Sequence, residues 1–360
     1  MTQPLEPDVM VRQVEALAGD LHDHTRPVDR DLRTILSSAE WGSVRAVYLT
    51  GDGDSHHAAC TAELAFESLA DVTCAPMSAL HFLEYGASRM AAAGPGQTLV
   101  IVISSSGETP RAVEAAARAK ERGALTVALT GTPSSTLTRV ADRSVVVDLP
   151  GKERSPGIRT YQASLLALLL TSIRLGQARS RYGQVEAESL RAEIVGLADA
   201  VADTTHAIKE RCHDLAVSIA DAPTVVMLGS GPNHGTALFA AAKVIEASGI
   251  PAIAQELEQW WHIERFASPF DMPVFVIAPP GRSHWRAVQL AARAAGLGRR
   301  VVAVAHRDDT ETTRDASAVL PVLGEVREEF SPFLYHLFAG YLGSYLAETL
   351  GRSLFQSRRG

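Results

Sequence analysis

The feature that most constrains the fold is an order of elements that occurs twice along the chain. Residues 46–51 read as a strand that ends in a glycine turn, and a helix follows over 59–70. Residues 223–231 and 236–249 repeat that order roughly 170 residues later, a period much longer than the ~20–50 residues of solenoid repeats. Strands that alternate with helices of this length are typical of parallel α/β sheets. The sequence therefore predicts two similar α/β domains.

The remaining patterns complete this picture. Apolar, β-rich runs predict strands at 98–104, 125–131, 143–149, 272–281, 300–306 and 317–323. Helical patterns cover 8–45, 109–123, 160–177, 285–298 and 332–350. The predicted fold class is α/β, with two flavodoxin-like domains whose parallel sheets are flanked by helices. The expected boundaries are a helical N-terminal segment (1–45), a first domain (46–177), a helical linker (178–215), a second domain (216–340) and a C-terminal tail (341–360).

Composition and charge exclude several classes of partner. The 360 residues suit two domains of ordinary size. The formal net charge of −7 and the lack of a basic block argue against nucleic acid and against an anionic membrane surface. The longest apolar run, 163–173, is too short to span a bilayer.

Cysteine usage and the N-terminus indicate a compartment. The three cysteines, Cys60, Cys74 and Cys212, are odd in number and show no metal-ligand spacing. The first ten residues lack a basic region followed by an apolar core, so we expect no signal peptide. Both features favour a reducing, cytoplasmic setting.

A loop rich in hydroxyl groups is the first candidate site. Residues 104–109, Ser-Ser-Ser-Gly-Glu-Thr, lie where a buried strand gives way to a helix. In open α/β sheets ligands bind beyond the carboxyl ends of the strands, and a helix N-terminus there offers free N–H groups to an anion. Ser55 follows another strand of the same half and is expected to meet the same ligand. The loop predicts a phosphate cradle without lysine, although a capped helix start would read the same way.

Five motifs, taken in order, resemble a known family. They are GDGDSHHAA (51–59), FESLA (66–70), SSSGET (104–109), TYQASLLAL (160–168) and LGSGPNHGTALFAAAKVIE (228–246). Their order and spacing are similar to the double sugar-isomerase (SIS) domain family, in particular to the isomerase half of glutamine–fructose-6-phosphate aminotransferases. The resemblance extends over residues 10 to 358. It implies the two-domain α/β fold and a sugar phosphate as ligand.

The resemblance also implies which residues bind the sugar phosphate. The phosphate-binding set carried over from the family is Ser55, Ser104, Ser105, Ser106 and Thr109. Where many members have a threonine before the first serine, this chain has Asp54. That acid either accepts a sugar hydroxyl or an ammonium group, or it is a simple turn residue.

The second half contains a candidate base and a candidate acid. Glu246 lies near the C-terminal end of its helix, where the helix dipole disfavours a carboxylate and so suits a proton acceptor. His262 follows sixteen residues later, beside two tryptophans. From the residues alone, Glu246 could be a solvated glutamate and His262 a structural histidine. The resemblance implies that Glu246 moves the proton between C1 and C2, and that His262 opens the sugar ring in the partner subunit of a homodimer.

The chain departs from the aminotransferases at its ends. No cysteine follows Met1 and no glutaminase segment is present, so we expect no hydrolysis of glutamine. At the C-terminus Arg352 stands where the family has its imine-forming lysine. Arginine stays protonated and cannot form an imine, but it can bind a carboxylate or phosphate in bidentate fashion.

The expected function is therefore that of a phosphosugar isomerase, or of a deglycase that cleaves fructosamine 6-phosphates. Glu246 and His262 would act by acid–base chemistry, while Asp54 and Arg352 would bind the amino acid part of a fructosamine. Two alternatives stay open, a sugar-phosphate sensor without turnover and an ammonia-dependent aminotransferase. No cofactor is expected. No metal is expected either, because the histidines at 56–57 have no acidic partner at a clear ligand spacing.

Overall fold

The computed structural model describes residues 5–92 and 96–355. The chain divides into two compact units, each built around one sheet. The first-sheet unit comprises Gly19–Gly151 and Arg159–Gly196. The second-sheet unit comprises the described parts of Met1–Ala18, Lys152–Ile158 and Leu197–Gly360.

The described helices alternate with the strands along the chain. In order they are α1 (Asp8–Glu15), α2 (Leu17–Ile35), α3 (Ser38–Ser43), α4 (Asp54–Ala70), α5 (Ala79–His81), α6 (Pro110–Glu121), α7 (Thr136–Val140), α8 (Arg159–Ala178), α9 (Gln184–Ile219), α10 (Pro232–Ser248), α11 (Leu257–His262), α12 (His284–Gly296), α13 (Pro332–Tyr335) and α14 (Leu337–Thr349). Short 3₁₀ or π turns lie at Phe82–Gly86, Ala87–Ala92, Glu264–Phe266 and Glu328–Phe330.

The first sheet has five parallel strands. They are β1 (Ala46–Gly51), β2 (Thr73–Ser78), β3 (Thr98–Ile103), β4 (Leu125–Thr130) and β5 (Arg143–Val146), in the spatial order β2-β1-β3-β4-β5. This is the flavodoxin-like order, in which the chain reverses its direction of travel across the sheet between β1 and β3. Loops that follow β1 and β3 therefore meet at the carboxyl edge, where such folds bind their ligands.

The side chains of β3 are buried on both faces of the sheet. Val100 and Val102 point to one face and pack in a cluster with the alanines of α6. Leu99 and Ile101 point to the other face, where they share a small apolar cavity with residues of α2 and α8. Successive side chains of a strand alternate between faces, so a strand buried on both sides is apolar throughout.

The second sheet repeats the first. Its strands are β6 (Val225–Gly229), β7 (Ala252–Glu256), β8 (Pro273–Ala278), β9 (Arg300–His306) and β10 (Ala318–Val322), in the order β10-β9-β8-β6-β7, all parallel. Val274 and Val276 of β8 pack against α12. On the opposite face Phe275 stacks on Phe338 of α14 with ring centroids 5.7 Å apart.

The predicted α/β class with two flavodoxin-like parallel sheets is confirmed. The patterns at 46–51, 98–104, 125–131, 143–149, 223–231, 272–281, 300–306 and 317–323 correspond to eight of the strands. Two further strands, β2 and β7, were not predicted, and both lie at a sheet edge. In the part of the chain that the structure describes, no helix combines the length and the apolar character needed to cross a membrane.

Candidate functional site

Two loops at the carboxyl edge of the first sheet come together because β1 and β3 are neighbours. At Gly51, the last residue of β1, a Cβ atom would lie 2.6 Å from the carbonyl oxygen of Ile103 and 2.7 Å from the Cβ of Ser55. Only glycine allows this approach. The structure thus brings Ser55 beside the end of β3, where the Ser104–Thr109 loop begins.

The serine loop is shaped by its own hydroxyl groups. The Ser104 hydroxyl is buried, lies 3.0 Å from that of Thr109 and accepts the N–H of Gly107 at 3.1 Å. The Ser106 hydroxyl accepts the N–H of Glu108 at 3.2 Å, and its side chain is exposed. Ser104 therefore fixes the loop, while Ser106 and the partly exposed Ser105 lie closer to solvent.

Strand β4 anchors the loop through the carbonyl oxygen of Ser105. This oxygen accepts the N–H of Gly131 at 3.0 Å, and the hydroxyls of Thr130 at 3.2 Å and Thr132 at 3.1 Å. These two threonines were not predicted as site residues from the sequence. The only sequence signal is their place directly after a predicted strand, in Leu-Thr-Gly-Thr.

Gly107 and Glu108 set the approach to helix α6. Gly107 has φ +66°, and a Cβ there would collide with the side chain of Ser135. The Glu108 carboxylate accepts the N–H of Thr136 at 2.8 Å and its hydroxyl at 2.6 Å, and these bonds lower the pKa of Glu108. The carboxylate that belongs to the loop itself is thus bound to the start of α7.

The N-terminus of α6 has no side-chain cap. Thr109 is the N-cap residue, but its hydroxyl faces Ser104 and makes no capping hydrogen bond. Pro110 takes the first helical position, where its missing N–H costs nothing. The N–H groups of the first turn and the positive end of the helix dipole are consequently available to an anion.

Asp54 and Ser55 open the other helix at this edge, α4. Asp54 lies 3.5 Å from Nδ1 of His57, and both side chains are largely buried. Asp52 accepts the N–H of Ala79 at 3.1 Å, which ties the β1 loop to the end of β2. Asp54 thus contacts a histidine of its own helix at the carboxyl edge of the first sheet.

In the second-sheet unit Glu246 lies in the last turn of α10. Its Oε2 is 2.5 Å from the ammonium of Lys243, which is completely buried on the same helix. The Nζ of Lys243 also lies 5.1 Å from the ring centroid of Phe239. Glu246 itself is about one third exposed. A buried cation therefore stands directly beside the predicted base.

Arg352 meets the same end of α10. Its Nη1 donates a hydrogen bond to the carbonyl oxygen of Ser248. The N–H of Phe355 donates to the backbone carbonyl oxygen of Glu246 at 2.8 Å. A cation at a helix C-terminus is favourable for the dipole. The structure thus brings Glu246, Lys243 and Arg352 together, while the predicted tail beyond Phe355 lies outside the described residues.

His262 lies in a different cluster of charged side chains of the second-sheet unit. It ends α11, is mostly exposed, and its Nε2 lies 3.1 Å from Glu258. Glu258 also accepts a hydrogen bond from Arg286 at 2.6 Å, and this contact, followed by that of His262, lowers the pKa of Glu258. Trp260 is buried in the core beneath the helix.

Sequence comparisons identify the chain's relatives. Residues 43–174 match the family model described as "SIS domain". The chain is 27% identical over 347 residues to a protein of Gloeobacter violaceus named glutamine–fructose-6-phosphate aminotransferase [isomerizing], covering 96% of this chain and 55% of that protein. A Pseudomonas putida protein of the same name is 29% identical over 325 residues, with 88% and 51% covered. The chain therefore spans about half the length of these relatives.

Solved structures share the fold. The C-terminal domain of glucosamine-fructose-6-phosphate aminotransferase from Francisella tularensis superimposes with a TM-score of 0.80 at 18% identity, covering 95% of this chain and 98% of that chain. Tagatose-6-phosphate ketose/aldose isomerase from Escherichia coli gives 0.76 at 15% identity, with 97% and 95% covered. Both likenesses concern the fold alone. The family match covers residues 43–174, the first sheet with helices around it, while the likeness of fold to the solved structures extends over both sheets.

Proposed function

We propose that this protein binds a sugar phosphate at the serine loop and converts it by acid–base chemistry. The reaction is either an aldose–ketose isomerisation of a 6-phosphate or the cleavage of a fructosamine 6-phosphate. The observation that carries the proposal is the uncapped N-terminus of α6 beneath a loop of hydroxyl groups. The names of the relatives support the class of substrate, since they act on fructose 6-phosphate and tagatose 6-phosphate.

The phosphate would be bound by neutral donors. Ser55, Ser105, Ser106 and Thr109 would donate hydroxyl hydrogen bonds, and the first-turn N–H groups of α6 would supply the rest. Ser104 would act mainly by fixing the loop, because its hydroxyl is buried against Thr109 and Gly107. The binding of Glu108 to Thr136 supports this arrangement, since it directs a negative charge toward another helix.

The proton transfer would be carried out by Glu246. An isomerisation needs one base that takes a proton from one carbon and returns it to the neighbouring carbon. The ammonium of Lys243, in contact with Oε2, would fix the orientation of that carboxylate. We propose His262 as the acid that opens the ring or protonates the leaving amine, reaching the site of the partner subunit in a homodimer. Its high exposure, 65%, supports a role outside its own core.

Asp54 and Arg352 are proposed to distinguish a fructosamine from a simple sugar. Asp54 would bind an ammonium group and Arg352 a carboxylate. One Nη of Arg352 is bound to Ser248, and the planar guanidinium carries further donors. We place the reaction in the cytoplasm, in line with three free cysteines, of which Cys74 and Cys212 are buried.

Thermal shift and product analysis test the proposal. The melting temperature of the protein should rise with hexose 6-phosphates and not with the free sugars. The double variant Ser104→Ala with Ser106→Ala should lose that shift, whereas Ser317→Ala, at an exposed serine of the second-sheet unit, should keep it. An unchanged shift in the double variant would place the phosphate elsewhere.

The reaction products distinguish isomerisation from deglycation. The protein is incubated with ketose 6-phosphates and with fructosamine 6-phosphates, and the products are followed by mass spectrometry. Isomerisation in D₂O incorporates one deuterium at the carbon that receives the proton, whereas deglycation releases a free amino acid. If sugar phosphates raise the melting temperature and no substrate is converted, the protein is a sensor and the assignment of Glu246 as a base is wrong.

A further inference from the structure

The first-sheet unit contains a second pocket that shares no lining residue with the serine loop. Its volume is about 550 Å³, and it opens between α2 and α9. Its charged lining consists of Arg26, Arg30, Arg33 and Arg191, with Asp29 and Glu188. This volume lies within the ~300–1,000 Å³ of ordinary small-molecule sites.

The inner arginines of this pocket are held in fixed positions. Asp29 is buried and binds both Arg191, at 2.5 Å from Nε, and Arg33, at 2.9 Å from Nε. Arg191 is 5% exposed, and its Nη2 also donates to Gln177 at 3.1 Å. Glu188 accepts a hydrogen bond from Arg33 at 2.6 Å. Such pairing orients guanidinium groups and leaves part of their five donors for a ligand.

The pocket is positive in a chain of negative net charge. Four guanidinium groups against two carboxylates leave an excess of two positive charges, although the whole chain carries −7. Burial, followed by the charges of Arg191 and Arg33, lowers the pKa of Arg174. The two carboxylates neutralise only two of the four positive charges. The remaining positive charge attracts an anion that enters the pocket.

Arg26 and Arg30 form the outer rim. They lie four residues apart on α2, where like charges oppose helix formation. Both are exposed, and neither has an ion pair or a side-chain hydrogen bond among the described residues. Their charges therefore remain unneutralised at the mouth of a pocket whose inner arginines are already oriented.

We propose that this pocket is a binding site for a phosphorylated small molecule that carries a dianionic phosphate ester or a diphosphate. Planar guanidinium groups bind such groups in bidentate fashion. The excess of two positive charges matches the charge of one phosphate ester. The site is independent of the substrate site proposed at the serine loop, because the two share no residue.

Isothermal titration calorimetry with inorganic pyrophosphate tests this site. The titration is done in the Ser104→Ala with Ser106→Ala background, so that the serine loop does not contribute. We expect binding in that background, and at least a tenfold rise in Kd when Arg26→Gln and Arg30→Gln are added. Both rim residues are exposed, so the variant should fold like its parent.

The matched control is Arg122→Gln with Arg314→Gln, which removes the same charge from two exposed arginines elsewhere on the molecule. It should change the Kd less than twofold, which separates a site from general attraction. Equal losses in both double variants, or no heat with millimolar pyrophosphate, would overturn the proposal. Sedimentation equilibrium adds a further arm: if Arg26→Gln with Arg30→Gln dissociates an oligomer and pyrophosphate does not bind, the arginines contact a second copy of the chain and the proposal is wrong.

Discussion

Gly53 and Gly231 adopt the same rare backbone conformation in the two sheets. Gly53 has φ 55° and ψ −129°, and Gly231 has φ 54° and ψ −133°. Each follows the first strand of its sheet by two residues and precedes the helix that returns along the sheet. The repeat seen in the sequence thus extends to individual torsion angles.

This conformation requires glycine for its backbone and not for space. A Cβ at Gly53 would have no atom within 4 Å, and one at Gly231 would have only Glu328 Oε1, at 4.0 Å. We therefore expect Gly53→Ala and Gly231→Ala to lower the free energy of unfolding by similar amounts, about 1–3 kcal/mol each from backbone strain. Urea unfolding measures both. Gly196→Ala, in the middle of α9 with open space around it, is the control and should be neutral or stabilising. Very different losses at Gly53 and Gly231 would show that the two turns are not equivalent.

The strands that the sequence predicted and those it missed differ in burial. All six residues of β3 and of β8 are buried, so each reads as a continuous apolar run. The missed strands β2 and β7 pair on one side only. Strand β2 contains Pro76, which is tolerated at an edge, and β7 ends in the polar pair Gln255–Glu256. Pairing with a neighbouring strand, and not burial of their own side chains, holds β2 and β7 in the sheet. Their sequences therefore lack the continuous apolar run that marks a buried strand.

The second prediction concerns Glu246 as the base. Glu246→Gln keeps the shape of the side chain and removes its ability to take a proton, so kcat should fall by about 10²–10⁴-fold with KM nearly unchanged. Glu348→Gln, at an exposed glutamate of α14, is the matched control and should keep full activity. Stopped or quenched assays with the substrate identified by mass spectrometry provide the measurement. Full turnover in Glu246→Gln would refute the base assignment.

The cations beside Glu246 could not be predicted from the sequence. The sequence indicated only that its carboxylate faces the unfavourable end of a helix. In the structure, the ammonium of Lys243 and the guanidinium of Arg352 both lie at that end and offset the unfavourable dipole. Lys243 is close in sequence, but its burial depends on packing, and Arg352 arrives from a tail about a hundred residues away in the chain. Neither relation has a local sequence signal.

The third prediction concerns imine chemistry. Arg352 cannot form an imine, and Lys243 is buried and bound to a carboxylate as a cation, which suppresses its nucleophilicity. Borohydride added to the protein with a ketose 6-phosphate should therefore leave the protein mass unchanged. Intact-protein mass spectrometry followed by peptide mapping detects any adduct. A reduced sugar attached to Lys243 would establish the aminotransferase type of mechanism and exclude the lysine-free one.

The last prediction is a pH dependence of stability that arises from His336. The imidazole is buried in the second-sheet unit, its Nδ1 lies 2.8 Å from the carbonyl oxygen of Pro332, and Phe239 packs against the ring at 5.7 Å. Because a carbonyl oxygen only accepts hydrogen bonds, Nδ1 carries the proton of the neutral ring. Burial lowers the pKa of His336 to about 4, from the ordinary value of 6.5.

The direction of this pH dependence follows from the pKa values of His336 in the folded and the unfolded chain. Between pH 6.5 and 4 the unfolded chain binds a proton at His336 that the folded protein does not, so acid favours unfolding in this window. From pH 7.5 to 4.5 the residue should cost about 2–3 kcal/mol of stability. His336→Asn keeps a donor toward Pro332 and does not titrate. Between pH 7.5 and 4.5 the free energy of unfolding of this variant should therefore fall by about 2–3 kcal/mol less than that of the native protein. His22→Asn, at an exposed histidine, should follow the native protein. Urea unfolding at both pH values measures the difference, and parallel losses in the native protein and in His336→Asn would show that His336 is not the group that titrates.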